Sequence, residues 1–304
     1  MVYFLLGNTL SYFTAVCKYP HYVLNKGFLL HPISSIYTVS KIMKGNASLL
    51  ESIRSLTNDK MDNIKNNYND IKNNVELHQH LEEGYRELDN YVNNTNLDEL
   101  FQSQQPEPDL PRSRTQLRYS NKTPSGRLGR DTQSTAGHFL YLIIRSLKPD
   151  TVVETGVASG ESSTFMLQAM DDNKKGKLFS IDLPPSVDQN QRKIIFPKDK
   201  SSGWIIPENL KDRWELHEGD SADLLLPLLQ KLGTIDGFFH DSLHTYDHMM
   251  FEYKTSWDFM RNGGILFSDD VAIMNKKGRS PFVDFAKMHK KDIVVNHIVG
   301  AMKK

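Results

Sequence analysis

The run Thr151-Val152-Val153-Glu154-Thr155-Gly156-Val157-Ala158-Ser159-Gly160-Glu161-Ser162-Ser163 limits what this chain can fold into more than any other stretch. A short apolar segment ends in an acid. A turn punctuated by two glycines follows, and a helix-forming segment opens near 163. Strand, tight loop and helix N-terminus in that order form the ligand-cradling corner of an open α/β sheet. Gly156 and Gly160 would let the backbone approach a ligand where a Cβ would clash. Their spacing is not the G-x-G-x-x-G of dinucleotide binders, and Glu154 and Glu161 would repel a pyrophosphate. A cationic ligand suits the corner better than an anionic one.

The segments after this corner alternate. Short apolar runs at 178–181, 214–217, 235–239, 265–267 and 293–298 read as strands, and 135–147, 222–232, 246–259 and 282–289 read as helices. Alternating strands and helices imply βαβ units with right-handed crossovers, hence an α/β fold of Rossmann-like type with a mostly parallel sheet and helices on both faces. Only one strand is expected after the last helix. Acids sit where the strands end: Asp182 after the second, Asp220 after the third, Asp241 after the fourth, Asp269 and Asp270 after the fifth. Open sheets of this kind bind ligands at those ends. Asp182, 22 residues past Gly160, stands where a carboxylate accepts hydrogen bonds from a ribose; the competing role is a turn or cap aspartate before Pro184. Asp220 and Ser221 would border a base, or Asp220 would cap the helix at 222.

Phe239-His240-Asp241-Ser242-Leu243-His244-Thr245-Tyr246 and Ser268-Asp269-Asp270 carry the chemistry. Carboxylates from neighbouring strand ends can converge on a hard divalent cation, with room left for water and substrate, which suits Mg²⁺. Such an ion would bind a substrate hydroxyl and lower its pKa. His244, three residues past Asp241, would then accept the hydroxyl proton. Taken singly, each residue has a duller role as cap or turn. Three acids gathered without a cation would repel one another, and that favours the metal.

The order Glu154-x-Gly156-x-x-x-Gly160-x-Ser162, Asp182, Asp241-x-x-His244-x-Tyr246, and Gly263-Gly264 to Asp269-Asp270 resembles the class I S-adenosylmethionine-dependent methyltransferases. Within them it is similar to the metal-dependent O-methyltransferases, the catechol and sugar enzymes among them, over residues 131–301. The resemblance implies a seven-stranded type of sheet. It assigns the methyl donor to Glu154, Gly156, Gly160, Ser162, Asp182, Asp220 and Ser221, and the metal to Asp241, Asp269 and Asp270. It makes His244 the base, and the acceptor a hydroxyl of a small molecule or glycan. Asp270 stands where the catechol enzyme has an amide. Two other classes compete: a nicotinamide-dependent oxidoreductase, and a methyltransferase-fold scaffold without turnover.

Upstream the chain is less explicit. Residues 1–57 are expected to form a helical cap, 58–100 a long amphipathic helix or coiled coil, 101–130 a basic Pro/Gly linker, and 131–304 the catalytic domain. Eleven of the residues in 58–96 are Asn, yet Met61, Ile64, Tyr68, Ile71 and Val75, then Leu81, Tyr85, Leu88 and Val92, step at heptad spacing. The seam slips near Leu77 and His78, and Gly84 weakens it again, so a break is expected there. The seam would serve either self-association into a homo-oligomer or packing on the chain's own domain. Lys+Arg and Asp+Glu are both 37, which gives no bias toward nucleic acid or an anionic surface. The lone Cys17 fits a reducing compartment such as the cytoplasm, and no run approaches the ~20 apolar residues of a membrane span.

Overall fold

A computed structural model describes residues 46–94, 126–184, 197, 199–271, 278–296 and 298–304. The cap residues 1–45, with Cys17, the end of the expected long helix at 95–100 and the part of the basic linker at 101–125 lie outside them. Among the described residues the elements are α1 (Asn46–Thr57), α2 (Met61–Lys72), α3 (Val75–Asn93), α4 (Gly126–Leu147), β1 (Thr151–Thr155), α5 (Glu161–Asp172), β2 (Lys177–Asp182), β3 (Trp214–Glu218), α6 (Ser221–Leu232), β4 (Ile235–His240), α7 (Tyr246–Phe259), β5 (Met260–Ser268), α8 (Pro281–His289), β6 (Ile293–Asn296) and β7 (Val299–Lys303). A single 3-10 turn, Glu208–Arg213, leads into β3.

The seven strands form one sheet in the order β3-β2-β1-β4-β5-β7-β6. The first five are parallel, and β7 pairs antiparallel with both β5 and β6. The order reverses between β1 and β4, which places the switch point, and the crevice it creates, at the C-terminal ends of those two strands. One strand was expected after the last helix and two are present. The apolar run 293–298 continues into Val299-Gly300-Ala301-Met302 with no glycine or proline at the reversal. Pairing of Asn296 with Val299 shows that the chain turns back within two residues.

Two apolar layers cover the sheet. On one face Leu225, Leu229, Tyr253, Trp257 and Phe285 of α6, α7 and α8 bury against Val153, Phe238 and Leu266. On the other, Phe139, Leu142 and Ile143 of α4 and Phe165 and Leu167 of α5 bury against Val152, Leu178 and Phe267. The N-terminal helices join this second layer: Ile53, Ile64, Ile71, Leu77 and Leu81 are all at most 4% exposed within it. The seam of 61–81 is therefore spent on the chain's own core. The break comes at Asn73-Asn74, earlier than the seam slip suggests, because the Asn74 side chain accepts from Leu77 N (3.0 Å) and restarts the helix as α3. Val75, at a seam position, is 63% exposed. Gly84 does not break α3; it brings the helix against Ile205, whose Cγ2 would lie 2.7 Å from a Cβ at that position. Helix α4 begins at Gly126, inside the stretch expected to be linker. No helix among the described residues is long and apolar enough to cross a membrane.

Candidate active site

The β1 corner folds as its residues require. Gly156 and Gly160 have φ of +83° and +99°, and Ala158 between them has φ +51°, a left-handed conformation that costs a residue with a Cβ roughly 1–2 kcal/mol. The two glycines admit protein backbone. A Cβ on Gly156 would lie inside van der Waals contact of the Asp241 carbonyl oxygen and 2.8 Å from Ser242 N. One on Gly160 would lie 2.8 Å from the Cα of Gly203. The close approach read from the sequence is thus made, among the described residues, by the loop after β4 and by the segment 199–206.

Glu154 is fully buried beneath the corner, accepting from Ser162 Oγ (2.9 Å), Ser163 Oγ (2.7 Å) and Ser180 Oγ (2.8 Å). Burial pushes its carboxyl up to about 7 despite those three donors. Asp182 ends β2 and accepts from Ala158 N (3.2 Å), Leu183 N (3.0 Å) and Ser202 Oγ (2.5 Å), so it holds the corner to the 199–206 segment. Asp220 caps α6 by accepting from Ala222 N at 2.8 Å. The Ser221 hydroxyl points into a buried network described below.

The strand ends gather the acids. Asp241 N donates to Thr155 O and Asp269 N donates to His240 O, both at 2.8 Å, so the ends of β1, β4 and β5 step directly from one to the next. Asp241, His244 and Asp269 offer side-chain atoms that all lie within 4.8 Å of one another. His244 Nε2 is 3.7 Å from Asp241 Oδ1 and 3.7 Å from Asp269 Oδ2. Asp270 is outside this group; it is 7% exposed, has φ +50°, and acts on Asp241 through its charge. Asp241 is pushed well above the usual carboxylate range, first by desolvation and then by Asp269, Asp270 and Glu154. Donor atoms at such separations can close on one cation at bonds of about 2.0–2.4 Å with small side-chain movements. The fit is chemical as well: the crowding that raises Asp241 is what a cation would relieve.

The residue at the centre is one that sequence reasoning missed. Glu252, on the buried face of α7, is 0% exposed. It accepts from Thr155 Oγ1 (2.6 Å), Ser221 Oγ (2.6 Å) and Ser242 Oγ (2.8 Å), and meets His240 Nδ1 (2.5 Å) and His248 Nε2 (2.9 Å). Burial alone would raise its pKa, but His240 and His248 beside it hold it well below the usual range. One carboxylate thus ties the end of β1, the start of α6 and the loop that carries Asp241 and His244. The His240 ring stands edge-on to His244, centroids 5.2 Å apart. His248 also belongs to this network. A signal was available in hindsight: Glu252 lies four residues past His248, on one helix face, among Met249, Tyr253 and Ser256.

Residues 153–271 match the family model described as a methyltransferase domain. No curated protein matches the chain in sequence. Among solved structures, the SAH-bound methyltransferase PaMTH1 of Podospora anserina is 18% identical, with 67% of this chain and 91% of that one covered at a TM-score of 0.42. The O-methyltransferase of Bacillus cereus in complex with SAH is 15% identical, covering 69% and 98% at 0.42. The O-methyltransferase TomG of Streptomyces achromogenes, in complex with SAM, is 15% identical, covering 69% and 96% at 0.42. Likenesses of this order bear no weight for substrate or mechanism. The family match spans the glycine corner, the acids and Glu252, and the sheet has the seven strands that the resemblance implied. Over residues 153–271 the chain matches a methyltransferase domain.

Proposed function

We propose that the protein is a metal-dependent O-methyltransferase that acts on a hydroxyl of a small molecule or glycan in the cytoplasm. The observation that carries this is the convergence of Asp241, His244 and Asp269 at neighbouring strand ends, where burial and then its acidic neighbours raise Asp241. When bound, a divalent ion supplies the charge that acidifies the acceptor hydroxyl and fixes it for in-line attack. Asp241 and Asp269, with Asp270 behind them, would hold that ion, Mg²⁺ by preference for oxygen. Glu154, Gly156, Gly160 and Ser162 shape the corner for the donor, with Asp182, Asp220 and Ser221 along its rim. His244 takes the hydroxyl proton as the oxygen forms its bond to the methyl carbon. The carbon–sulfur bond of the sulfonium breaks, and S-adenosylhomocysteine leaves.

A second reading has a specific observation behind it. His244 Nε2 is equally close to both carboxylates, so it is placed to be a ligand. An imidazole in the donor set favours Mn²⁺, Fe²⁺ or Zn²⁺ over Mg²⁺. Calorimetric titration of Mn²⁺ separates the two. With His244 as base, His244→Ala keeps metal affinity and Asp241→Ala loses it. With His244 as ligand, both variants lose it. Failure of the wild-type chain to bind Mn²⁺ or Mg²⁺ would refute both.

A further inference from the structure

Helix α3 belongs to the N-terminal extension, yet it reaches the methyl-donor corner through one strap of chain, residues 199–206. On its inner side the strap is sewn to the corner. Gly203 N donates to Ala158 O (2.9 Å), Ile205 N donates to Ser159 O (3.1 Å) and Ser202 Oγ donates to Asp182 Oδ2 (2.5 Å). The absent Cβ of Gly160 makes room for Gly203 and Ile206. Ala158, Ser159, Gly160 and Asp182 are the residues whose backbone and carboxylate define the corner, so any shift of the strap shifts them.

On its outer side the strap is held by α3. His80 Nε2 lies 2.9 Å from Ile205 O, a contact spanning 125 residues of sequence. Lys200 Nζ pairs with Glu87 Oε1 at 2.8 Å and sits 4.9 Å from the centroid of the Trp204 ring. Gly84, one turn from each, lets the helix lie directly on Ile205. Leu81 buries in the same layer as Ile205 and Ile206. Positions 80, 84 and 87 share one helix face. The two polar contacts end on the strap, one at the Ile205 carbonyl and one at the Lys200 side chain.

We propose that His80 and Glu87 are positioning residues for the methyl donor: α3 sets the donor affinity by holding the 199–206 strap against the glycine corner. The inference rests on the assignment of that corner to the donor. Displacing the strap would cost the Ala158 and Ser159 carbonyls and the Asp182 carboxylate one donor each at once, which is why a few outer contacts can govern the pocket.

The test is S-adenosylhomocysteine binding by calorimetry on the full chain, below the onset of each variant's melting. His80→Ala should weaken binding roughly three- to tenfold, the loss of one hydrogen bond to a partly buried carbonyl. Glu87→Lys, at a half-exposed position that leaves the core untouched, should weaken it about two- to threefold. The charge swap Glu87→Lys with Lys200→Glu should restore it, a recovery that a merely destabilised fold would not show. Arg86→Glu, exposed and about a third of a turn around the helix from His80, should leave affinity unchanged. If the wild-type chain binds and both single variants stay within twofold of it, the strap is not governed by α3 and the inference fails alone. If the wild-type chain does not bind, the donor assignment fails and takes the inference with it.

Discussion

Glu252→Gln is the sharpest test of how the site is built. The substitution keeps the shape of the side chain and removes its charge. Five groups face this carboxylate: three hydroxyls at 2.6–2.8 Å and two imidazoles at 2.5 and 2.9 Å. An amide offers one oxygen in place of two and presents an NH₂ where a donor already stands, so at least two partners lose their acceptor. Breaking a buried ionic contact by removing one member costs about 3–5 kcal/mol. At about 2–4 °C per kcal/mol for a domain of this size, the melting midpoint should fall by roughly 6–20 °C. The effect should also depend on pH with a definite sign. A carboxyl held below its usual 4.5 contributes stability that is present above that value and fades as pH falls toward its folded value. The gap between wild type and variant in a thermal melt should therefore be constant near neutrality and narrow below about pH 4.5. A gap under 2 °C at pH 7, or one that widens in acid, would show that Glu252 is not ionised in the fold and that the network is not what ties the three strand ends.

Two further outcomes follow from the geometry. His138 is held down at about 4 by burial, with His78 and Lys72 adding to it, against a usual 6.5; the unfolded chain takes up a proton that the folded chain refuses, so stability is lost as pH falls through that window. A His138→Leu variant, compared with wild type by urea denaturation from pH 7 to 4, should show a difference curve that removes about 2–3 kcal/mol of acid sensitivity; a flat difference would refute it. Gly156→Ala places a Cβ against the Asp241 carbonyl in a backbone at φ +83°, and should destabilise the fold by about 2–4 kcal/mol in the same assay. A near-native midpoint would mean that the β1 and β4 loops do not meet there.

How legible each part was follows from how local its cause is. Strands β1 and β4 and helix α7 could be read from apolar runs bounded by glycine or acid, because a strand buried on both faces announces itself without help from distant residues. The acids Asp241 and Asp269 were legible for the same reason: they sit at the ends of such runs. Strand β7 was hidden because Asn296 alone marks the reversal, with no glycine or proline beside it, and pairing with β5 separates the two strands. The first turns of α4 were hidden by Gly126 and Gly129 among basic residues, a composition that favours a linker locally and is overridden by packing of the helix beyond. Glu252 was illegible for a different reason. A single acid on an amphipathic helix reads as solvent-facing, and its value appears only when β1, α6 and the β4 loop, up to 97 residues away, are brought around it.

The place of α1 and α2 has a consequence for where this protein can be cut. Ile53, Leu56, Ile64 and Ile71 lie in the same apolar layer as α4 and the sheet, so the boundary suggested by the first methyltransferase motif is not a seam in the material. Trimming the chain to the part that does the chemistry would strip an oily floor bare and leave a fragment prone to clump. The segment that looks like a removable prefix is one wall of the house.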